Sequence, residues 1–136
     1  FIDPDDLAYE NWLEHALECI GGDQGVVRVV LERWDERLRK MKRRVLSHAP
    51  SIWTRTVWEQ LGGFANVRVA ADTELLLRAE YAQPAVSIFE GIKPAQKCRI
   101  HGGNASQTNL VQRKKWIIER ERDLLGGVSV VKKKRP

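Results

Sequence analysis

The stretch Gly21-Gly22-Asp23-Gln24-Gly25-Val26-Val27-Arg28-Val29-Val30-Leu31 decides the class of the fold. Paired glycines stop a helix, because the residue after the last turn prefers a left-handed conformation. The β-branched run that follows fits a pleated strand better than a helix. Upstream, Tyr9, Trp12, Leu13, Ala16, Leu17 and Ile20 recur at helical spacing. That spacing predicts a helix running from the Asp3-Pro4-Asp5-Asp6 turn to about Ile20, with those six residues as its buried face. A helix that stops on glycine and hands over to a buried strand is an α/β pattern.

Working downstream, residues 35–48 are highly charged, and Leu38, Met41 and Val45 form only a narrow stripe. This predicts an exposed helix or an ordered excursion. Ser51-Ile52-Trp53 reads as a short strand. Arg55 to Leu61 reads as a short helix closed by Gly62-Gly63-Phe64. Asp72 to Tyr81 reads as a helix with Leu75, Leu76 and Ala79 inward, ended by Pro84. Val86 to Phe89 and Lys97 to Ile100 are two strand candidates, with Gly91 and Pro94 in a turn between them. His101-Gly102-Gly103-Asn104 reads as a loop. A last helix is predicted over 108–125, with Leu110, Ile117 and Leu124 beside Val111, Ile118 and Leu125 in two heptad-spaced columns. Gly126-Gly127 stops it. No internal repeat or linker interrupts the chain. Residues 1–127 are expected to form one unit, and 128–136 a basic tail.

Composition narrows the class further. The 136 residues are 43% apolar and 30% charged, the balance of a folded domain rather than a disordered one. Cys19 and Cys98 have no CxxC partner, which supports neither a disulfide framework nor a zinc site and makes a reducing compartment the default. No apolar run approaches the roughly 18 residues of a membrane helix. The chain opens on Phe1-Ile2-Asp3 without a Met, and it reads as a piece of a longer protein that starts at the end of a buried strand. Net charge is +5, unevenly placed. The first 25 residues hold seven acids and no Lys or Arg, so the remaining 23 cations face 11 acids and the rest of the chain carries +12. Carboxylates at one end can hold a divalent cation while a basic body attracts a phosphate-bearing ligand. The basic run from Arg33 to Arg44 is equally a solvated face, and the tail Lys132-Lys133-Lys134-Arg135 either meets an anionic surface or is simply solvated.

Three groups of residues could carry chemistry. Carboxylates two apart in Asp3-Pro4-Asp5-Asp6 can converge on a hard cation, or they can cap a helix. Asp72 opens a helix, where the dipole favours a carboxylate. It can act as a general base on a hydroxyl or as a capping residue. His101, at a strand end beside glycines, can ligate a metal through its neutral imidazole, and Arg99 can pair with a phosphate, yet a lone His is also a common structural residue. Glu74 and Arg78, four apart, can be an exposed helix ion pair. His15 and His48 have no partner pattern, and the five Trp suit core or rim packing.

In order, Phe1-Ile2-Asp3-Pro4-Asp5-Asp6, the segment Trp53 to Phe64 ending in Gly62-Gly63-Phe64, Ala71-Asp72-Thr73-Glu74-Leu75-Leu76-Leu77-Arg78, and Arg99-Ile100-His101 through Ser106 resemble the second half of a family 2 glycosyltransferase of the GT-A fold. The resemblance covers about residues 1–106. It implies a partial GT-A fold, a mixed sheet with flanking helices, that lacks its N-terminal nucleotide-binding strands. It further implies metal-dependent, inverting transfer of a sugar from a nucleotide-sugar to a hydroxyl of a saccharide or glycolipid acceptor, in bacterial surface polysaccharide or glycolipid synthesis. By resemblance, Asp72 is the catalytic base. Asp3, Asp6 and Arg99 bind the donor. Asp3, Asp5 and His101 meet Mg²⁺ or Mn²⁺, and Gly63, Phe64 and Arg78 lie on the acceptor side. Ala71 stands where the family carries a Glu. Gln112-Arg113-Lys114-Lys115-Trp116 is similar to the Q-x-x-R-W motif of processive members, with Lys115 in place of Arg. The implied setting is cytoplasmic, extending to the inner face of the membrane, with the missing N-terminal half as a partner. Nucleic acid is not an expected partner on this reading. The rival reading is a non-catalytic basic module that binds nucleic acid or an anionic surface.

Overall fold

The valine run becomes β2 (Gly25–Asp35), an inner strand of a four-stranded mixed sheet. The structure is a computed structural model that describes residues 2–67, 70–83, 85–104 and 110–126. The other strands are β1 (Leu7–Ala8), β3 (Met41–Trp53) and β4 (Ser87–Ile100), in the order β1-β4-β2-β3. β2 pairs parallel with β4, while β1 with β4 and β3 with β2 are antiparallel. The helices are α1 (Trp12–Ile20), α2 (Arg55–Leu61), α3 (Ala71–Tyr81) and α4 (Leu110–Leu124). No helix among the described residues is long and apolar enough to cross a membrane.

Consecutive side chains of a strand point to opposite faces, so an apolar run without alternation needs cover on both. Val26 packs on one face with Val57 of α2, Leu76 and Ala79 of α3, and Val86. Val27 packs on the other with Ala16 and Ile20 of α1. Val29 and Leu31 continue the core with Ala95. Full burial of each such side chain stabilises the fold by roughly 1.5–3 kcal/mol. The inward placement of Leu75, Leu76 and Ala79 agrees with the periodicity, as does the α2 boundary. Gly62 and Gly63 both have positive φ, and a Cβ on Gly63 would lie 3.0 Å from the Trp58 ring. That turn therefore needs glycine.

Four expectations are corrected. Residues 35–48 are not a helix. Asp35 closes a turn by accepting N–H bonds from Arg39 (2.7 Å) and Lys40 (3.3 Å), and β3 returns along β2. β3 is an edge strand, where exposed Lys and Arg discourage further pairing, so its charge reflects position rather than helicity. The predicted N-terminal helix begins only at Trp12, because Leu7 and Ala8 pair with Lys97 and Gln96 of β4 instead. α1 contacts the sheet through Trp12, Ala16, Cys19 and Ile20, which leaves Leu13 and Leu17 51% and 65% exposed. Lastly, 87–100 is one strand, and its pairing with β2 slips twice, at a bulge where residues 91–93 stand opposite Val29 alone and where Ala95 is extra between Pro94 and Gln96. Gly91 permits the bulge, since a Cβ there would meet the Arg28 carbonyl oxygen at 3.1 Å.

Phe1, Pro84, Ala105, Ser106, Thr108, Gly127 and the 128–136 tail lie outside the described residues.

Candidate functional site

Topology brings the acidic turn and the end of β4 together at one edge of the sheet. α3 leads through a turn into β4 and packs against the start of that strand, with Leu76 and Ala79 beside Val86 and Ile88. The acidic turn precedes β1, which runs antiparallel to the end of β4, so residues 3–6 lie beside 98–101. In open α/β sheets the region outside the strands' carboxyl ends is where ligands bind.

The closest contact joins residues 96 positions apart: His101 Nε2 lies 2.6 Å from Asp5 Oδ2. The backbone N–H of Gly103 donates to His101 Nδ1 at 3.1 Å. A backbone amide can only donate, so Nδ1 accepts and the imidazole proton of the neutral ring sits on Nε2, facing Asp5. Asn104 was not among the predicted site residues, yet it fixes this arrangement. Its Oδ1 accepts the His101 N–H at 2.7 Å and its Nδ2 donates to the Arg99 carbonyl at 3.2 Å. The available signal was an Asn three residues after His101 in a glycine turn, the spacing of a side chain that folds back on the backbone.

Arg99 acts on the acidic turn. Its Nε donates to the Asp5 carbonyl (2.8 Å), its Nη1 to the Glu36 carbonyl (3.3 Å), and its own N–H to Asp6 Oδ1 (3.1 Å). Arg99 and Asp6 thus position the turn, rather than both standing free for a ligand. Burial and the Asp6 carboxylate push the nearby Cys98 thiol up to about 12, which leaves it inert.

Partial burial and the charges of Asp6, Asp5 and Asp72 raise the Asp3 carboxyl above its ordinary value. Asp72 therefore lies near enough for its charge to act on the acidic turn. It stands in the first turn of α3 but is not the cap, which is Ala70 at φ 60°. Asp72 Oδ1 accepts the Thr73 N–H (2.6 Å) and hydroxyl (3.3 Å). Arg113 of α4 donates to the same Thr73 hydroxyl at 2.9 Å, which brings a cation beside the carboxylate.

The acceptor-side candidates are placed differently. Glu74 is fully buried, not exposed, and bonds Arg78 (2.7 Å) and Arg120 of α4 (3.0 Å). Arg78 also donates to the Leu61 and Gly63 carbonyls, so it ties α3 to the glycine turn. Phe64 packs edge-on against Trp58 at 4.9 Å between ring centroids.

Among the described residues, no group of three His, Cys, Asp or Glu side chains converges as a metal site. The Asp5–His101 pair still offers one oxygen and one nitrogen donor. Mg²⁺ commonly takes one or two carboxylates and completes its shell with water and substrate phosphates, and an imidazole beside a carboxylate suits the softer end of this group. The donor chemistry fits such a partial site, with the cation replacing the Nε2 proton.

The hydrogen bond from His101 is the largest influence on Asp5 and holds its carboxyl below the ordinary 3.8. A carboxyl depressed by folding stabilises the protein above its unfolded value, and that contribution is lost as pH falls through the lower, folded value. We expect a carbon-detected NMR titration of Asp5 to show a midpoint below 3.8, rising toward it in His101→Ala. An unchanged midpoint would break the pairing.

A second polar cluster escaped the sequence reading. Buried Glu32 accepts from Tyr9, Trp34 Nε1 (3.1 Å) and Arg44 Nε (2.8 Å). Burial acts to raise the Glu32 carboxyl, but these bonds outweigh it and lower it, while burial and Glu32 push Tyr9 up to about 12. Three donors thus meet one buried carboxylate, a structural clasp that ties the residue after β1 to β2 and β3.

No protein-family model matches this chain, and no curated protein matches it.

Proposed function

We propose that the chain is the acceptor-side part of a GT-A-type glycosyltransferase that moves a sugar from a nucleotide-sugar to a hydroxyl acceptor. The observation that carries this reading is the 2.6 Å contact between Asp5 and His101, with Asp3 and Asp72 close enough to interact electrostatically. Helix capping alone gives no reason for Asp5 and His101, 96 residues apart, to be in contact. The resemblance in motif order supports the same assignment.

On this reading Asp5 and His101 would hold Mg²⁺ or Mn²⁺ where the donor diphosphate binds. When bound, the cation neutralises charge on the leaving diphosphate. Asp72 takes the proton of the acceptor hydroxyl as that oxygen attacks the anomeric carbon from the side opposite the leaving group, which inverts the configuration. Thr73 orients Asp72 by donating to Oδ1, and Arg113 braces the Thr73 hydroxyl. Arg99, Asp6 and Asn104 hold the acidic turn and the imidazole in register. Arg78 and Gly63 act at one remove, by fixing the turn that presents Phe64 on the acceptor side. The nucleotide base would be read by a part of the domain that this chain does not contain.

The test is sugar transfer by the longer polypeptide that this proposal requires. Activity should disappear in EDTA and return with Mn²⁺. Transfer that persists through chelation removes the cation from the proposal.

A further inference from the structure

The outward face of α4 combines apolar and basic residues in a way that the transfer chemistry does not use. α4 meets α3 through Arg113 and Arg120, and its Glu121 accepts from the Tyr81 hydroxyl at 3.3 Å. The opposite side carries Val111 and Ile118, which are 84% and 56% exposed, with Leu110, 50% exposed, at its flank beside Glu121. Lys114, Lys115 and Arg122 are exposed among them. At 3.6 residues per turn Val111, Lys114, Lys115, Ile118 and Arg122 occupy an arc of about 100° that contains no acid, and Leu110 flanks it with Glu121 between. Glu119 lies at its margin, where it pairs with Lys115 at 3.9 Å. Asp123 falls beyond it.

We infer that this face of α4 docks on an anionic lipid bilayer. Val111 and Ile118, flanked by Leu110, on a helix that buries none of its residues can enter the headgroup boundary, and the three cations around them match an anionic surface. An interface with another protein would pair these cations with acids or replace them with apolar residues at its centre. Lys132-Lys133-Lys134-Arg135 follows shortly in the sequence and adds to the same charge. The orientation has a consequence that rests on the proposed transfer chemistry. Arg113 touches Thr73, the neighbour of Asp72, so the base would sit about one helix diameter from the lipid, within reach of a membrane-anchored hydroxyl acceptor.

Docking itself is tested without activity, so its failure is distinct from failure of the transfer reading. The full 136-residue chain is floated with phosphatidylcholine vesicles and with phosphatidylcholine vesicles containing phosphatidylglycerol. We expect binding to the second and not to the first. Lys114→Gln/Lys115→Gln/Arg122→Gln should weaken binding about 100-fold, since each cation near such a surface is worth roughly a factor of five. Val111→Ser/Ile118→Ser should also weaken it with charge intact, and circular dichroism checks that both variants stay folded. Neutralising Lys132 to Arg135 alone should leave measurable binding. Three results would overturn the inference: no binding to the anionic vesicles, binding that neither α4 variant reduces, or self-association of the chain that the α4 variants abolish.

Discussion

Asp72→Asn in the active polypeptide should lower the transfer rate by about 10³-fold while the KM for the nucleotide-sugar stays nearly constant. The replacement is isosteric. The amide oxygen can still accept the Thr73 N–H that Asp72 Oδ1 takes at 2.6 Å, so the first turn of α3 keeps its geometry. What is lost is a group able to accept a proton, and general-base catalysis contributes typically 10²–10⁴. Under the proposed reading, donor affinity would depend on the acidic turn and the imidazole, which this change leaves alone. Steady-state kinetics with donor and acceptor varied separately decides the matter. A parallel loss of rate and donor affinity would make Asp72 a binding residue and not the base.

The second large effect is on stability. Glu74→Leu should destabilise the fold by about 3 kcal/mol, because removing one member of a buried ionic cluster strands the others. Glu74 is fully buried and Arg78 only 15% exposed, whereas Arg120 is 37% exposed and recovers part of its solvation. The stranded Arg78 is the more costly loss, since it also binds the Leu61 and Gly63 carbonyls. Against the roughly 5–15 kcal/mol that holds a domain together, this is a large fraction. Urea unfolding should show a lower midpoint with an unchanged slope. A shift equivalent to less than about 1 kcal/mol would place the cluster among surface ion pairs.

The parts of the fold legible in the sequence were those governed by neighbours. Leu75, Leu76 and Ala79 lie on one helical stripe, and Gly62-Gly63 is a stop signal whatever surrounds it. The parts that were not legible depend on distant partners. Asp35 folds residues 35–48 back into a hairpin, and nothing in their own pattern shows that β2 waits beside them to accept β3. Leu13 and Leu17 satisfy helical spacing as well as Trp12 and Ala16 do; which pair faces inward depends on how α1 crosses the sheet. Glu74 and Arg78 look like any exposed pair until Arg120, 46 residues later, closes over them.

The candidate site divides along the same line. Asp5 and His101 were singled out through the order of motifs, since no local spacing connects residues 96 apart. Arg113 was not singled out, because it meets Thr73 only after folding, whereas Asn104 and Thr73 act on residues within five positions of their own and carried a local signal that the motif order passed over. Arg99 was expected to face a phosphate; its side chain instead bonds the backbone of the acidic turn, a role invisible without the coordinates of Asp5 and Glu36.

The most direct measurement is paramagnetic broadening of backbone amides on adding Mn²⁺ with inorganic pyrophosphate to the labelled chain. The account predicts broadening centred on residues 3–6, 72–73 and 100–103 together, reduced when His101 is changed to Ala. Broadening around Asp5 that spares Asp72 and Thr73, or none at this edge of the sheet, would contradict it.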